Sequence, residues 1–556
     1  MSMNELETAK SKVTSEICNQ NDKEMKSNVT VNEEALNQVF DKQTGEKKVE
    51  NLLVSHYKEM LLTTLVYSIF YTFCLYKNLS GITMPFFIFG SYCYLILSMK
   101  KMNVPFKKDA ISLFQLVCSV LLGISTFLTD SGPIHVFNFI GFLLLTGSFM
   151  LHQIYEDSMW GFGKYLGSLL YTVLCALAHI FDPFIDGSVF LQKQREKKVQ
   201  AGEAQKEYKG KYVVYGLLIL LPLLIVVVAL LASADVVFGN LLRQIFVNIT
   251  MPEHIAGIIF LTIFAFFAAY CYLAALMSHP VSDKVHDYKQ GEPVMAITIT
   301  SVLAAVYFLF SLIQIIYLFG GAMTLPEGYT YAEYARQGFF QLLFVCVINL
   351  VLVLVCLTCF KENQALKIIL TIISACTFIM IASSAYRMLL YVSIYFLTFL
   401  RVLVLWSLVL LTILLAGVFV SIFKEGFPLF KYCMLAVTVM YLGLSFSHQD
   451  YWIARYNVSA VTAEGGDVMT DSRLHYLGRL SLDAVPVYAN IAGAKSANAE
   501  GADTESPNTE ADRRIEETEV TLADFVPSAE SIEKKCGKMD FRTFNLSKWI
   551  ALHYVR

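Results

Sequence analysis

Twelve apolar segments follow one another between residues 60 and 447, and most of them contain about 20 residues. An α-helix of that length crosses the roughly 30 Å hydrocarbon core of a bilayer. Charged residues make up 16% of the whole chain and about 11% of residues 60–447, whereas an ordinary soluble domain contains about 25%. The sequence therefore predicts an all-α, polytopic transmembrane helical bundle of about 11–12 spans with polar N-terminal and C-terminal tails. The candidate spans are 60–79, 82–98, 110–129, 133–151, 165–181, 212–232, 255–277, 294–320, 338–360, 366–386, 402–423 and 431–447.

Lysine and arginine concentrate in alternate connecting segments, and such segments face the cytoplasm. Three candidate spans separate the first two basic loops, so we expect 165–181 to be interfacial or re-entrant. Eleven spans then remain, with twelve as the alternative. Eleven spans place the N-terminus in the cytoplasm and the C-terminal tail outside a plasma membrane. The basic loops are 99–109, 182–211, 278–293, 361–367 and 424–431.

Polarity divides the chain into three regions. Residues 1–58 form a polar head that we expect to be disordered in the cytoplasm, and 59–447 form the transmembrane domain. Residues 448–556 form an extracytoplasmic tail. Within the tail we expect a helix over about 472–486, a linker over about 491–512 and an amphipathic end over about 541–556.

The segment 387–401 does not fit a simple span. One helix from Arg387 to Phe423 would be about 55 Å long, which exceeds the bilayer. Arg387 and Arg401 would each cost several kcal/mol in hydrocarbon. We therefore expect 387–401 to lie near the outer interface and to lead into the span 402–423.

Five short motifs occur in a recognisable order, and they begin Tyr331-Ala-Glu-Tyr-Ala-Arg, Tyr386-Arg-Met-Leu-Leu-Tyr, Ile453-Ala-Arg-Tyr-Asn-Val, Leu477-Gly-Arg-Leu-Ser-Leu-Asp-Ala-Val-Pro and Phe544-Asn-Leu-Ser. Together they resemble a family of bacterial multi-pass membrane proteins defined only as a domain of unknown function (the 4153/4173 group), over roughly 200–490 and the extreme C-terminus. Phe396 and Arg473 depart from it, since the family usually has glycine and an acidic residue there. The resemblance implies fold and membrane location but no mechanism.

Two groups of residues are candidate outer sites. Glu333, Arg336, Arg387 and Arg401 form a candidate polar cluster on the outer face. Interfacial anchoring together with structural ion pairs explains it best. A site for a small anionic ligand or an envelope protein is the alternative, because arginine pairs bidentately with carboxylate or phosphate. The second group is an interfacial collar of aromatic and polar residues. Its members are Tyr331, Tyr334, Tyr451, Trp452, Arg455 and Asn457.

No motif indicates catalysis, a metal or a cofactor. Cys356 and Cys359 form a C-x-x-C within an apolar run, and Ser481 and Asp483 with His475 match a hydrolytic set by coincidence. The net charge of -3 gives no reason to expect a nucleic-acid partner. The expected partners are the lipid bilayer and, near Lys193–Lys211, anionic lipids.

Polar residues inside the spans bear on function. Asn138, Gln314 and Asn349 stand out, while carboxylates in mid-span are essentially missing, which argues against an ion-coupled carrier. We expect a non-enzymatic membrane scaffold or envelope-linked sensor. The alternative is a transporter or lipid flippase without ion-coupling carboxylates. A carrier predicts a midplane cavity lined by these three residues, and a scaffold predicts tight helix packing.

Overall fold

A computed structural model describes residues 53–157, 160–200, 253–278, 290–316, 339–464 except 425, 474–489 and 527–555 except 538, with residue 281 and scattered positions between 220 and 240. Within these residues the chain forms α-helices and short 3-10 helices, with no β-strand. The all-α prediction is confirmed for this part. The helices are α1 (Tyr57–Leu75), α2 (Thr83–Lys101), α3 (Ala110–Leu128), α4 (Gly132–Ile154), α5 (Phe162–Ala178), α6 (Asp182–Gln200), α7 (Glu253–Met277), α8 (Pro293–Gln314), α9 (Phe339–Cys359), α10 (Gln364–Tyr395), α11 (Phe399–Phe423), α12 (Leu429–Ser445), α13 (Gln449–Glu464), α14 (Ala529–Cys536) and α15 (Leu546–Val555).

Seven of the described helices are long and apolar enough to cross a membrane: α3, α4, α7, α8, α9, α10 and α11. The number rises to nine if each of two bent helix pairs is one span. The chain is therefore a multi-pass membrane protein. Helix α5, which covers the weak candidate 165–181, qualifies only together with Asp182–Glu196, at a bend of 60°. Most of the predicted span 212–232 lies outside the described residues.

The chain divides into two compact units. One contains Met1–Ser68, Ile96–Pro105 and Leu170–Ser282. Its described core joins α6 to α7, where the Tyr270 hydroxyl donates to the buried Asp186 carboxylate over 2.8 Å. Asp186, which the sequence analysis assigns to a cytoplasmic loop, therefore lies on α6 and accepts a hydrogen bond from Tyr270.

The second unit contains Ile69–Leu95, Phe106–Leu169 and Asp283–Arg556. Within it α10 packs against α8, α9 and α11, α11 packs against α12, and α12 packs against α3. The core between α9, α10 and α11 is apolar, with Met380 and Leu408 among its buried side chains. This unit also contains all the described residues of the tail.

Helix α10 corrects the prediction for 387–401. It runs without interruption through Arg387 to Tyr395, a length of 32 residues or about 48 Å. The break covers only 396–398, after which α11 begins. The prediction of a separate interfacial segment was wrong. Arg387 is only 8% exposed and has an acceptor inside the protein, because its guanidinium lies 3.2 Å from the Gln314 Oε1.

The tail also differs from its prediction over 472–486. Two 3-10 helices, Leu474–Arg479 and Leu482–Ala484, replace the expected α-helix. Pro486 lies in the first turn of a short helix over 485–489 rather than ending one, since the first turn tolerates proline. The predicted amphipathic end contains α15.

Phe396, in the break after α10, has a backbone conformation that favours glycine, with φ 63° and ψ -177°. Its ring is also buried. Phe396→Gly and Phe396→Ala both lose the ring, but only glycine relieves the backbone strain. We therefore expect the glycine variant to be more stable than the alanine variant by about 1–2 kcal/mol. Thermal unfolding of the two purified variants in one detergent measures this difference, and equal stabilities would contradict it.

Candidate functional site

The C-terminal segment lies across the turn between α1 and α2. We call residues 539–555 the strap. The Asn78 amide nitrogen donates to the Arg542 carbonyl over 2.9 Å, and the Ile82 N–H donates to the Phe544 carbonyl over 2.8 Å. A Cβ at Gly81 would lie 2.1 Å from the Arg542 carbonyl oxygen. The strap backbone thus approaches this turn as closely as a glycine allows.

Asn545 connects the strap to a second turn, between α3 and α4. Its amide nitrogen donates to the Ser80 carbonyl and to the Thr129 carbonyl, each over 2.9 Å. Its Oδ1 accepts the Lys548 N–H over 3.2 Å, which satisfies an amide of the first turn of α15. Asn545 is fully buried. One side chain therefore bridges two turns and the start of a helix.

Asp483 is the centre of the polar cluster at this second turn. The hydroxyls of Thr129 and Ser547 donate to its two carboxylate oxygens. The Asp130 N–H donates over 2.9 Å, and the His448 Nδ1 lies 3.4 Å away. The Asp483 side chain is only 1% exposed. Elements far apart in sequence, namely the α3–α4 turn, the α12–α13 break and the strap, therefore meet at one carboxylate.

The electrostatics of this cluster keep Asp483 ionised. Burial by itself raises the pKa of Asp483, but the hydrogen bonds from His448, Ser547, Thr129 and the Asp130 N–H outweigh it and hold that pKa below its ordinary value. Burial raises the pKa of the neighbouring Asp130 despite the Lys548 ammonium 3.5 Å away. Asp483 is therefore a buried carboxylate that is held as an anion by hydrogen-bond donors from several elements.

A second set of contacts joins the tail to the helix break. Asn457 donates to the Leu397 carbonyl over 2.8 Å and accepts the Leu397 N–H over 2.7 Å. The Tyr476 hydroxyl accepts the Phe399 N–H over 3.0 Å. These side chains satisfy backbone groups that the interruption between α10 and α11 leaves without helical partners.

The predicted outer polar cluster is only partly described. Glu333 and Arg336 lie outside the described residues. Arg387 donates to Gln314. Arg401 donates to the carbonyls of the last α10 turn and of Phe396 and lies over aromatic rings. The two described arginines thus have different structural partners, and a ligand site formed by all four residues stays a prediction.

The predicted collar is described in its C-terminal half, since Tyr331 and Tyr334 lie outside the described residues. The Arg455 guanidinium donates to the Tyr451 hydroxyl over 3.3 Å and lies 5.7 Å from the centre of the Trp452 ring. Trp452 is 55% exposed. Such a cation and aromatic pair suits a membrane interface, and the interfacial role stays a prediction.

Sequence reasoning missed a buried histidine between two carboxylates. His152 Nε2 lies 2.6 Å from Asp109 Oδ2, and His152 Nδ1 lies 2.8 Å from Asp157 Oδ1. Asp109 also caps α3 by accepting the Ser112 N–H. Burial raises the pKa of Asp109, but hydrogen bonds from Ser112 and His152 lower it to about 2. The one sequence signal was an aspartate directly before an apolar run, which is typical of a helix N-cap.

Two of the clefts in the described part of the chain bear on the carrier hypothesis. One, of about 230 Å³, lies between the α9–α10 and α11–α12 connections and includes Lys361 and Lys424 in its lining. The other, of about 190 Å³, lies beside the break that follows α10. Neither is lined by Asn138, Gln314 or Asn349, all three of which are buried.

Comparison with known proteins identifies a family. No curated protein and no solved structure matches the chain. Residues 116–491 match the family described as Domain of unknown function (DUF4153). The match covers more than half of the 556 residues and begins upstream of the resemblance noted in the sequence, while Phe544-Asn-Leu-Ser lies beyond it. The chain therefore belongs to the DUF4153 family of domains of unknown function.

Proposed function

We propose that this protein is a non-enzymatic membrane scaffold or envelope-linked sensor that holds its tail against one end of the helical bundle. The observation that carries the proposal is the set of hydrogen bonds that Asn138 makes to neighbouring helices. Its Oδ1 accepts hydrogen bonds from the Tyr441 hydroxyl and the Ser445 hydroxyl, each over 2.7 Å. Its amide nitrogen donates to the Thr126 hydroxyl over 3.0 Å. The side chain that a carrier would use for a substrate thus joins three helices.

The other two polar side chains serve the same purpose. The Asn349 amide donates to the Thr377 hydroxyl over 3.0 Å and so joins α9 to α10. The Gln314 Oε1 accepts from the Ser383 hydroxyl over 2.6 Å and so joins α8 to α10. Polar groups in such positions stabilise contacts between helices in a membrane. This use favours a rigid bundle over one that rearranges around a substrate.

The proposed setting is a bacterial plasma membrane, with the N-terminus in the cytoplasm and the tail outside. The basic loops support this orientation. A reporter active only outside the cytoplasm, fused after residue 490, is expected to be active, whereas the same reporter fused after residue 200 is expected to be inactive. Cytoplasmic-type behaviour of the fusion at 490 would contradict the eleven-span topology.

Lipid transport tests the scaffold against its alternative. The purified full-length protein is reconstituted into phosphatidylglycerol and phosphatidylethanolamine vesicles that contain a fluorescent phospholipid, and dithionite is added outside. We expect bleaching of the outer leaflet only, as in protein-free vesicles. Bleaching that also reaches the inner leaflet and is abolished by Asn138→Leu would favour a flippase and overturn the scaffold.

Contact with an envelope protein is the positive test. A photo-crosslinking amino acid at the exposed Trp452 position is expected to capture one defined protein in intact cells, while the same group at the buried Ala454 position is expected to capture none. If neither Trp452 nor the exposed Tyr456 yields a specific adduct, the scaffold proposal is contradicted.

A further inference from the structure

The cleft beside the break has a lining that fits a lipid. It is bounded by the first turn of α9, the last part of α10 and the first turn of α11, and its volume is about 190 Å³. Phe339, Met388 and Val404 supply apolar walls. Phe340 and Leu400, at its rim, are 54% and 58% exposed on helices that are candidate membrane spans. The cleft therefore opens on the surface that faces lipid.

Arg401 supplies the charge. Arg401 is the only basic or acidic residue among the described residues that line the cleft. Its Nη1 donates to the carbonyls of Tyr395 and Phe396, and the guanidinium carbon lies 4.4 Å from the centre of the Tyr391 ring. These contacts fix the guanidinium plane through one nitrogen, while the fork offers further N–H donors at Nη2 and Nε. The cleft thus has one oriented cation above apolar walls.

A hydroxyl completes the polar end. Thr398 lines the cleft at the N-cap of α11, and its side chain makes no capping hydrogen bond. A phosphate oxygen beside Arg401 could accept from this hydroxyl. The described lining contains no carboxylate that would pair with an ammonium group. The charge pattern therefore favours a headgroup with net negative charge over a zwitterionic one.

We propose that this cleft binds one anionic phospholipid of the surrounding bilayer, with its phosphate at Arg401 and Thr398 and part of one acyl chain against Phe339, Met388 and Val404. The proposal does not depend on the scaffold role. Binding one lipid at a fixed place stabilises the junction of α9, α10 and α11. It does not move lipid across the membrane.

The test measures lipid retention by the purified full-length protein. The protein is delipidated in detergent, dioleoylphosphatidylglycerol or dioleoylphosphatidylethanolamine is titrated in, and bound lipid is counted by native mass spectrometry. We expect one phosphatidylglycerol to bind at least tenfold more tightly than phosphatidylethanolamine. Equal retention of the two lipids would mean annular lipid only and would overturn the proposal.

Matched variants locate the site without disturbing the bonds of Arg401. Leu400→Trp places a large side chain at the rim of the cleft and is expected to weaken phosphatidylglycerol binding at least tenfold. Leu389→Trp is the control, because Leu389 is 56% exposed on α10 but does not line the cleft, and it is expected to bind like the unmodified protein. Unchanged binding by Leu400→Trp, or equal loss in both variants, would overturn the proposal.

A free anion is distinguished by competition. Inorganic phosphate in large excess is expected to leave the bound phosphatidylglycerol in place, because phosphate cannot use the apolar walls. Displacement of the lipid by phosphate alone would show that the site recognises a free anion and would overturn the lipid assignment. Arg401→Lys, which keeps the charge but not the fork, is expected to bind with intermediate affinity.

Discussion

Asp483→Ala is expected to release the strap from the α3–α4 turn and to lower the free energy of unfolding by about 3 kcal/mol. The variant removes a buried acceptor from the hydroxyls of Thr129 and Ser547 and from the Asp130 N–H. Each buried donor left without an acceptor costs about 1–3 kcal/mol, although the loss of the buried charge offsets part of that sum. Hydrogen exchange of the 544–550 amides and thermal unfolding in detergent measure the two effects.

Two variants control this experiment. Asp483→Asn keeps the shape and one carbonyl oxygen, so we expect a smaller loss than for alanine. Asp540→Ala removes an exposed carboxylate of the same strap, which accepts hydrogen bonds from the Thr543 N–H and hydroxyl. We expect Asp540→Ala to leave the exchange of 544–550 unchanged. If Asp540→Ala and Asp483→Ala speed up the hydrogen exchange of 544–550 equally, Asp483 does not hold the strap.

The same carboxylate predicts a dependence on pH. The folded protein holds the pKa of Asp483 below its ordinary value of 3.8. Its ionised form therefore contributes stability that is fully present above that value and is lost as pH falls through the folded pKa. Asp130, whose pKa burial raises, contributes with the opposite sign but is present in both proteins compared. We expect the stability difference between the unmodified chain and Asp483→Asn to shrink as the pH falls below 3.8 toward the folded pKa of Asp483, and a constant difference over that range would contradict this.

Apolar length predicted most of the bundle, because burying backbone polar groups in a helix is the requirement that a bilayer imposes on each span. The break after α10 was misplaced for a related reason. The cost of burying an arginine is reduced when the protein supplies an acceptor, and Arg387 has the Gln314 Oε1. That partner lies 73 residues away in sequence. No local pattern in the sequence reveals such a pair.

The tail site was harder to predict. Asp483 and Asp130 are separated by 353 residues. A single carboxylate in a polar tail belongs to no periodic pattern, so its partners cannot be predicted from the sequence around it. The family resemblance did point to the right segments, since Asp483, Asn457 and Asn545 all lie in its motifs. The resemblance also identified Phe396 as a departure, since the family usually has glycine at this position. The positive φ at Phe396 supplies the physical reason for that preference.

Gly81→Ala is expected to displace the strap from the α1–α2 turn. A Cβ at this position would lie 2.1 Å from the Arg542 carbonyl oxygen and 2.6 Å from the Asn78 Oδ1. The carbonyl belongs to the backbone and accepts the Asn78 amide, so it cannot move without losing that bond. We expect a loss of about 2–3 kcal/mol in unfolding free energy, with faster hydrogen exchange over 542–550. Gly132→Ala is the matched control, because nothing lies within 4 Å of its added Cβ, and it should leave both measurements unchanged.

A double variant shows whether the strap detaches as one unit. Asn545→Ala removes the donor to the Ser80 and Thr129 carbonyls and is expected to cost about 2 kcal/mol. If either substitution alone releases the strap, the second has nothing left to break, so Gly81→Ala with Asn545→Ala should cost clearly less than the sum of the two. Full additivity would show that the two turns hold the strap independently. Non-additivity would instead make the strap a single cooperative contact. Its attachment would cover both turns together, and its release would expose both together.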